Sequence, residues 1–330
     1  VFHPQFPALP LIGERTNARA LARAVLRLVA PIHARQPFDL VDAEFFFPDG
    51  PAAAIVADAL GLPLTIKARG SDIHYWGERP AARAQILAAG ARADRMLAVS
   101  AAIGRSMAAI GLPEDRIVVH YTGLERERFR VTPRAEARRQ LVLPVAPDGP
   151  LLVTVGNLIP LKGQHLVIEA LAELPGATLV CAGQGQERAS LEALAAKLGL
   201  SDRVLLPGNL PAGEIAPLLS AADAMVLPSE NEGLANAWVE ALACGTPLVI
   251  TDVGGAREVL RDDTCGRIVA RTPAAIAAGV RDILTNPQPQ DAVAQSVAQF
   301  SWEHSAAALV AIWRDAIASR RARQAASGAR

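Results

Sequence analysis

The stretch PSENEGLANAWVEALACGTPLV, residues 228–249, is the most informative part of the sequence for predicting the fold. The apolar run AMVLPS, residues 224–229, leads into it and is typical of a buried parallel strand. Gly233 permits a tight turn where that strand ends, and residues 235–244 form a predicted helix that Gly245 stops. Open parallel sheets bind their ligands beyond the carboxyl ends of the strands. The stretch therefore predicts an α/β fold with a binding site in the loop before the helix.

Two acidic residues, Glu232 and Glu240, flank that loop. Glu240 falls on the predicted buried side of the helix, beside Val239 and Leu242. A carboxylate among apolar neighbours is costly unless a polar group pairs with it. Either Glu240 bonds to local backbone, or both acids face a ligand rich in hydroxyl groups, and the sequence leaves both interpretations open.

A second loop, in LLVTVGNLIPLKG at 151–163, places Lys162 directly before the predicted helix QHLVIEALAEL. An ammonium beside a helix N-terminus forms an anion site, although an ordinary solvated lysine is the alternative. The loop is neither a Walker loop nor a GxGxxG fingerprint. Gly183-Gln184-Gly185, after a later strand, matches only the first part of the GxGxxG pattern. A phosphate-binding lysine and hydroxyl-binding acids on one sheet suggest a sugar attached to a diphosphate.

These motifs resemble those of the retaining glycosyltransferases of the GT-B fold, family 4, also described as glycosyl transferases group 1. The resemblance rests on Glu232 and Glu240 with seven residues between them, and it extends from about Phe38 to Trp313. The further matching segments, in chain order, are RGSDI at 69–73, LAVSAAI at 97–103, TGLERERF at 122–129, GNLIPLKG at 156–163, CAGQGQER at 181–188 and DVGGAREVL at 252–260.

The resemblance implies two doubly wound Rossmann-like domains that face a cleft. The acceptor-side domain would span 1–142, joined by a C-terminal helix at 303–318, and the donor domain would span 150–300. Six strands are predicted in the second half, near 151–156, 178–183, 203–208, 224–229, 247–252 and 266–270. The first half offers FDLVDAEF, PLTIKAR, RMLAVS and RIVVHY, with VFHP as a further candidate, so we expect a first domain that is truncated at its N-terminus or simply short. After Ile317 we expect a frayed basic tail.

The resemblance also implies roles for individual residues. Lys162 and Glu232 would be catalytic, with Glu232 on the sugar hydroxyls, Glu240 on the ribose and Arg69 and Asp72 on the acceptor side. The remaining donor-binding positions would be Gly156, Asn157, Gly208, Asn209 and Leu210, the last three near the base, and Gly233, Leu234, Ala235 and Asn236. Asn157 and Arg69 depart from the family pattern, which often has Arg and His there, so diphosphate binding should depend more heavily on Lys162. The implied reaction moves a sugar from a nucleotide diphosphate sugar to a glycan or lipid-linked acceptor, with retention and without a metal or other cofactor.

Composition agrees with a two-domain α/β protein. The 330 residues are 51% hydrophobic and 4% aromatic, and their formal net charge is +0, so nothing global indicates nucleic acid as a partner. The three cysteines are isolated, which predicts reduced core thiols of a cytoplasmic protein. No HExxH or DxD motif occurs, so we expect no metal site.

Arginines recur every four residues in the predicted first helix, at Arg15, Arg19, Arg23 and Arg27. This stripe could rest on an anionic membrane, or it could be the solvated face of a helix whose apolar side packs on its own sheet. The sequence alone leaves two other functions open. One is a nucleotide-sugar-binding module without transfer activity, and the other is a nicotinamide dehydrogenase, which the missing fingerprint disfavours.

Overall fold

A computed structural model describes residues 1–7, 13–145 and 149–328 of the chain. The chain divides into two compact units. Unit 1 comprises Val1–Tyr121 and Glu303–Arg330, and unit 2 comprises Thr122–Trp302. Both are α/β units built on parallel sheets, as predicted.

The sheet of unit 1 has four parallel strands in the order β1-β2-β3-β4. They are β1 (Val41–Ala43), β2 (Leu64–Ala68), β3 (Arg95–Ala98) and β4 (Ile117–Val119). Each lies within one of the four predicted apolar segments. The candidate strand VFHP is wrong, since residues 1–7 carry no strand and Phe2 is 67% exposed. Pro4 has no N–H to give to a ladder, and the segment buries too little apolar surface to fix one.

Five α-helices precede or connect the strands of this sheet. They are α1 (Gly13–Arg35), α2 (Asp49–Leu60), α3 (Ser71–His74), α4 (Pro80–Arg92) and α5 (Ala101–Ala109). The core beneath them is formed by the alternate residues of β2, Leu64 and Ile66, with Met96 of β3. The apolar side of α1 packs on α2 rather than on the sheet, with Ala18 and Ala22 against Ala52 and Val56.

Unit 2 has six parallel strands in the order β10-β9-β8-β5-β6-β7. All six predicted strands are confirmed, as β5 (Leu151–Val155), β6 (Thr178–Ala182), β7 (Val204–Gly208), β8 (Ala224–Leu227), β9 (Leu248–Thr251) and β10 (Gly266–Val269). The helices are α6 (Arg134–Gln140), α7 (Gln164–Leu171), α8 (Arg188–Lys197), α9 (Ala212–Ala221), α10 (Asn236–Ala243), α11 (Ala256–Val259), α12 (Pro273–Thr285) and α13 (Gln290–Gln295). Cys181, Cys244 and Cys265 are free and buried, and burial raises the pKa of Cys181 to about 12.

The chain segment that connects β4 to β5 belongs to unit 2 from Thr122 onward. The boundary between the units therefore precedes the predicted proline-rich linker at 142–150. Arg126 donates through its Nε to the carbonyl oxygen of Phe300 at 3.1 Å. Arg138 donates to the Asp223 carboxylate at 2.6 Å and to the Ala221 carbonyl oxygen at 3.1 Å. The two Arg138 bonds tie α6 to the C-terminal end of α9, and the Arg126 bond ties the segment before α6 to the chain after α13.

The last helix, α14 (Trp302–Gly328), returns the chain to unit 1 and runs through the segment predicted as a frayed tail. That prediction is wrong, because the chain is helical as far as Gly328 and one basic side chain of the segment, Arg323, finds an acidic partner. Arg95 of β3 pairs with Asp315 at 2.5 Å, and Arg323 pairs with Asp94, whose side chain is fully buried. In the part of the chain that the structure describes, no helix is both long and apolar enough to span a membrane.

Candidate active site

Unit 2 contains a point where the winding of its sheet reverses. β5 and β8 are adjacent, pairing Leu152 with Ala224 and Val153 with Met225, while the chain proceeds outward from them on opposite sides. The loops after β5 and β8 therefore leave the same edge of the sheet in opposite directions. Such a reversal opens a crevice at the carboxyl ends of the strands, and ligands of open α/β sheets bind there.

Lys162 and Glu232 meet at this crevice. The Lys162 Nζ lies 2.5 Å from the Glu232 Oε1, and the Ser229 hydroxyl donates to the same oxygen at 2.7 Å. The side chains of Lys162 and Glu232 are 21% and 10% exposed, so the pair is largely but not wholly removed from solvent. A partly accessible cation held beside a carboxylate can bind an anion and a hydroxyl group at one place.

The backbone of the two loops fits together closely. The Glu230 N–H donates to the Leu161 carbonyl oxygen at 2.8 Å. Gly163 has a φ of +74°, and a Cβ at this position would lie 2.6 Å from the Pro228 carbonyl oxygen. Only glycine accommodates both the left-handed backbone and this close approach. Lys162 is thereby fixed just before α7, whose first N–H groups have no partners within the helix.

Arg271, which sequence reasoning missed, braces the two loops. Its Nε donates to the Pro228 carbonyl oxygen at 3.0 Å, and its Nη2 donates to the Pro160 carbonyl oxygen at 3.1 Å. The guanidinium therefore joins the loop of Lys162 to the loop of Glu232 with one planar group. Arg271 lies just after β10, which is the last strand of unit 2. This position at a strand end is the only sequence signal that could have indicated a role in the site.

Glu240 lies on α10, apart from the Lys162–Glu232 pair. It is half-buried, and burial raises the pKa of its carboxyl group, which the charge of Arg128 opposes. Among the described residues no hydrogen bond to the Glu240 carboxylate is found, so the structure does not favour the interpretation that it bonds to local backbone. A carboxylate of this kind is available to a hydroxyl group from outside the protein.

The other predicted donor positions surround the same edge of the sheet. Gly156 and Asn157 follow β5, and the carbonyl oxygen of exposed Asn157 accepts from Gln164 at 3.0 Å. The turn from Glu232 into α10 contains Gly233, Leu234, Ala235 and Asn236. Gly208 ends β7, with exposed Asn209 and half-buried Leu210 after it.

In unit 1, Arg69 and Asp72 follow β2 at the carboxyl edge of its sheet. Asp72 is buried, and its carboxylate accepts N–H groups from Phe46 at 2.8 Å and Gly70 at 2.8 Å. Burial raises the Asp72 pKa, and these backbone bonds oppose that effect. Asp72 thus organises the loop, whereas Arg69 is 42% exposed and pairs with Glu44. Of the two residues, only Arg69 is placed to contact a ligand.

In the described residues no group of three or more His, Cys, Asp or Glu side chains is arranged to hold a metal ion.

The sequence profile described as "Glycosyl transferases group 1" matches residues 136–300, and the profile "Glycosyltransferase Family 4" matches residues 2–128. The D-inositol 3-phosphate glycosyltransferase of Acidothermus cellulolyticus is 31% identical over 333 residues, which cover 92% of this chain and 72% of the relative. Against three other relatives with the same name, the chain spans between 49% and 70% of their length. The chain therefore belongs to the group 1 glycosyltransferases and is an enzyme of that class.

Solved structures agree on the fold. Sucrose-phosphate synthase from Thermosynechococcus elongatus matches with a TM-score of 0.77 at 23% identity, over 97% of this chain and 86% of that one. HepE of Anabaena, in complex with UDP-glucose, matches with a TM-score of 0.75 at 21% identity, over 96% of this chain and 85% of that one. At these identities the likeness concerns the fold alone.

Proposed function

We propose that this protein transfers a sugar from a nucleotide diphosphate sugar to a hydroxyl group of a glycan or lipid-linked acceptor. The observation that carries the proposal is the Lys162–Glu232–Ser229 cluster at the reversal point of the sheet in unit 2. It combines a charge suited to a diphosphate with a carboxylate suited to sugar hydroxyls. Family membership and the UDP-glucose complex of the similarly folded HepE support the same donor class.

The reaction requires stabilisation of a leaving group. The bond between the anomeric carbon and the diphosphate oxygen breaks, and its electron pair leaves with the diphosphate. The acceptor oxygen forms the new bond, and its proton passes to a departing diphosphate oxygen. Lys162 and the N-terminal N–H groups of α7 would stabilise the growing negative charge, since preorganised donors and dipoles act most strongly where charge develops. Because these groups would stabilise the charge of the leaving diphosphate, we propose that the transfer does not depend on a metal ion. Enzyme treated with a chelator should therefore still be active.

Attack from the face that the diphosphate leaves would retain the anomeric configuration. The proposal needs no protein nucleophile, because the diphosphate oxygen itself receives the acceptor proton. The configuration of the new glycosidic linkage is read from the NMR coupling at its anomeric centre and compared with the configuration of the donor. An inverted product would contradict retention while leaving the donor site intact.

Glu240 is proposed to bind the ribose hydroxyls of the donor. Its partly buried carboxylate, whose raised pKa the Arg128 charge opposes, would gain partners from two vicinal hydroxyl groups. The acceptor is assigned to unit 1, where exposed Arg69 and its partner Glu44 lie at the carboxyl edge of the sheet. The relatives' name makes a phosphorylated polyol one acceptor to include in a screen.

The first experiment is a thermal-shift screen of UDP-, GDP- and ADP-sugars with the whole chain. A ligand at 100 times its dissociation constant stabilises the folded state by about 2.7 kcal/mol, so a true donor should give a clear shift. Transfer to glycan, lipid-linked and polyol phosphate acceptors is then followed by mass spectrometry. Donor binding without transfer to any of them would favour a nucleotide-sugar-binding module. Failure of every nucleotide sugar to bind would contradict the proposal.

Replacing Arg271, which joins the Lys162 and Glu232 loops, should lower activity although Arg271 is not assigned a contact with the substrate. We expect Arg271→Ala to lower kcat/KM about tenfold or more, because two charge-assisted bonds between the loops are lost. Arg271→Lys, which can reach one carbonyl oxygen but not both, should recover part of the loss. Arg281→Ala is the matched control, since Arg281 is an exposed arginine of unit 2 paired with Glu173. Parent-like kcat/KM for Arg271→Ala would show that the brace is dispensable.

We also propose a peripheral, electrostatic contact between unit 1 and anionic lipid. Arg15, Arg19, Arg23 and Arg27 are all exposed, whereas the apolar side of α1 is engaged by α2. Binding should therefore depend on charge, at about 1 kcal/mol for each basic residue near the surface, and weaken with salt. Replacing the four arginines with glutamine should abolish co-sedimentation with anionic vesicles at low salt. Equal binding of the parent to anionic and neutral vesicles would contradict the contact.

A further inference from the structure

Four charged side chains lie together where the first two strands of unit 1 end. Asp42 and Lys67 belong to β1 and β2, and Glu44 and Arg69 directly follow these strands. Asp42 pairs in register with Thr65, two residues before Lys67, so the side chains share one face of the sheet. The Glu44 Oε2 accepts a hydrogen bond from the Arg69 guanidinium and lies 3.9 Å from the Lys67 Nζ. Two cations thus face two carboxylates, so this charge-balanced cluster of four residues has no net charge.

Lys67 is the member of the charge-balanced cluster that needs a further partner. Its side chain is only 5% exposed. Among the described residues no hydrogen bond to its ammonium is found, since the Glu44 carboxylate at 3.9 Å lies beyond hydrogen-bond distance. Burial lowers the pKa of Lys67, and the charges of Glu44 and Asp42 oppose that effect. An ammonium has three donors, and leaving them unpaired in a buried place is costly, so Lys67 is available to oxygen atoms from outside the protein.

His120, directly after β4, adds no positive charge to this cluster. It is buried, and its Nε2 donates to the Ser305 carbonyl oxygen at 2.9 Å. Burial lowers the pKa of His120, and the charge of Lys67 acts in the same direction, whereas the Ser305 bond opposes them. At pH 8 the imidazole is therefore neutral, and the balance of the four charged side chains is unaltered.

A hydroxyl group fits this arrangement better than a phosphate does. A hydroxyl oxygen accepts from an ammonium, and its proton can be donated to a carboxylate. Neighbouring hydroxyls of one ring can therefore contact Lys67 and Glu44 together. A phosphate could also accept from Lys67, but its negative charge would lie beside the Glu44 carboxylate. Like charges repel more strongly where solvent is partly excluded, so the carboxylates disfavour a phosphate at this place.

We infer that the charge-balanced cluster selects an acceptor that presents uncharged hydroxyl groups to it, as a neutral sugar or polyol does, and excludes one that presents a phosphate. The inference rests on the proposed function and adds the chemical class of the acceptor. Discrimination arises from a repulsive element, the carboxylates, as well as from the attractive Lys67. Lys67 and Glu44 are specificity-determining residues in this scheme.

The test is sugar transfer at pH 8 to matched neutral and phosphorylated acceptors, followed by mass spectrometry with the whole chain. The acceptors are glucose with its 1- and 6-phosphates, and myo-inositol with its 3-phosphate. The donor is the nucleotide sugar identified by thermal shift. The parent should use the neutral member of a set with a kcat/KM about tenfold or more above that of the phosphorylated members.

Three variants assign this preference to the cluster. Glu44→Gln leaves a net positive charge, so it should raise kcat/KM for phosphorylated relative to neutral acceptors about tenfold. Lys67→Met, which keeps a side chain of similar length, should raise the KM for the neutral acceptor about tenfold and leave the KM for the donor unchanged. Glu114→Gln is the matched control and should behave as the parent does, since Glu114 is an exposed glutamate of unit 1 that precedes β4.

Each outcome bears on the inference separately from the proposed function. Preference of the parent for neutral acceptors, reduced in Glu44→Gln, supports it. Equal or better use of phosphorylated acceptors by the parent would overturn it, while the transfer itself would uphold the proposed function. An unchanged preference in Glu44→Gln, or donor binding without transfer to any neutral acceptor, would overturn it as well. If no nucleotide sugar binds the parent, the proposed function fails and the inference fails with it.

Discussion

Replacing Lys162 with alanine should weaken the binding of nucleotide diphosphate sugars about 10- to 100-fold. Charge-assisted hydrogen bonds contribute about 1.5–3 kcal/mol, and Lys162 is the only cation that the described structure places against Glu232. The affinity for the nucleoside without phosphates should change little, because the ammonium is assigned to the diphosphate. Titration calorimetry with the donor, the diphosphate and the nucleoside measures the three affinities.

The chain offers a matched control for this variant. It has three lysines, and Lys197, at the end of α8, is exposed in the same unit. Lys197→Ala should bind all three ligands as the parent does. Parent-like affinity of Lys162→Ala for the donor would remove Lys162 from the diphosphate site. An equal loss for donor and nucleoside would instead indicate general damage to unit 2.

Replacing Glu232 with glutamine should lower turnover about 100-fold or more and should not weaken the bare nucleoside diphosphate. In the structure the Lys162 ammonium is paired with the Glu232 carboxylate. A diphosphate that binds Lys162 must therefore share the ammonium with this carboxylate or displace the carboxylate. Glutamine removes this competing charge but also the strong acceptor for sugar hydroxyls. We therefore expect the diphosphate alone to bind at least as tightly as it binds the parent, while kcat falls.

Glu240→Gln is the comparison for this prediction, because it changes the same functional group on α10. It should weaken the nucleoside as well as the diphosphate, since its proposed partner is the ribose. Steady-state kinetics and calorimetry on both variants separate the two roles. If Glu232→Gln weakened the nucleoside and Glu240→Gln affected only turnover, the assignments would have to be exchanged.

Much of unit 2 could be predicted from the sequence because its strands are short apolar runs that glycine and proline separate. The loops of Lys162 and Glu232 were identified for the same reason. Their direct contact was not predicted, since it joins residues 70 positions apart and depends on β5 lying beside β8. Arg271 was missed because both of its hydrogen bonds go to backbone carbonyl oxygens, which no side-chain pattern in the sequence reveals.

Unit 1 was harder to predict. The basic segment after Ile317 has the composition of a frayed tail, yet Arg323 reaches the buried carboxylate of Asp94, on the loop that leads into β3. The resemblance places Asp72 on the acceptor side, and in the structure its carboxylate oxygens accept backbone N–H groups from Phe46 and Gly70. Arg323 and Phe46 reach these carboxylates from distant parts of the chain, so local periodicity carries no information about them.

Sugar transfer itself, measured by mass spectrometry on the whole chain, tests the assigned active site most directly. The donor identified by thermal shift is supplied with the acceptor panel, and the parent is compared with Lys162→Ala and Lys197→Ala. We predict that the parent and Lys197→Ala form a product heavier than the acceptor by one sugar residue and release the nucleoside diphosphate in equal amount. Lys162→Ala should form at most about a tenth as much at a donor concentration below KM. Equal product formation by all three proteins would contradict the assignment of the active site to the Lys162–Glu232 cluster.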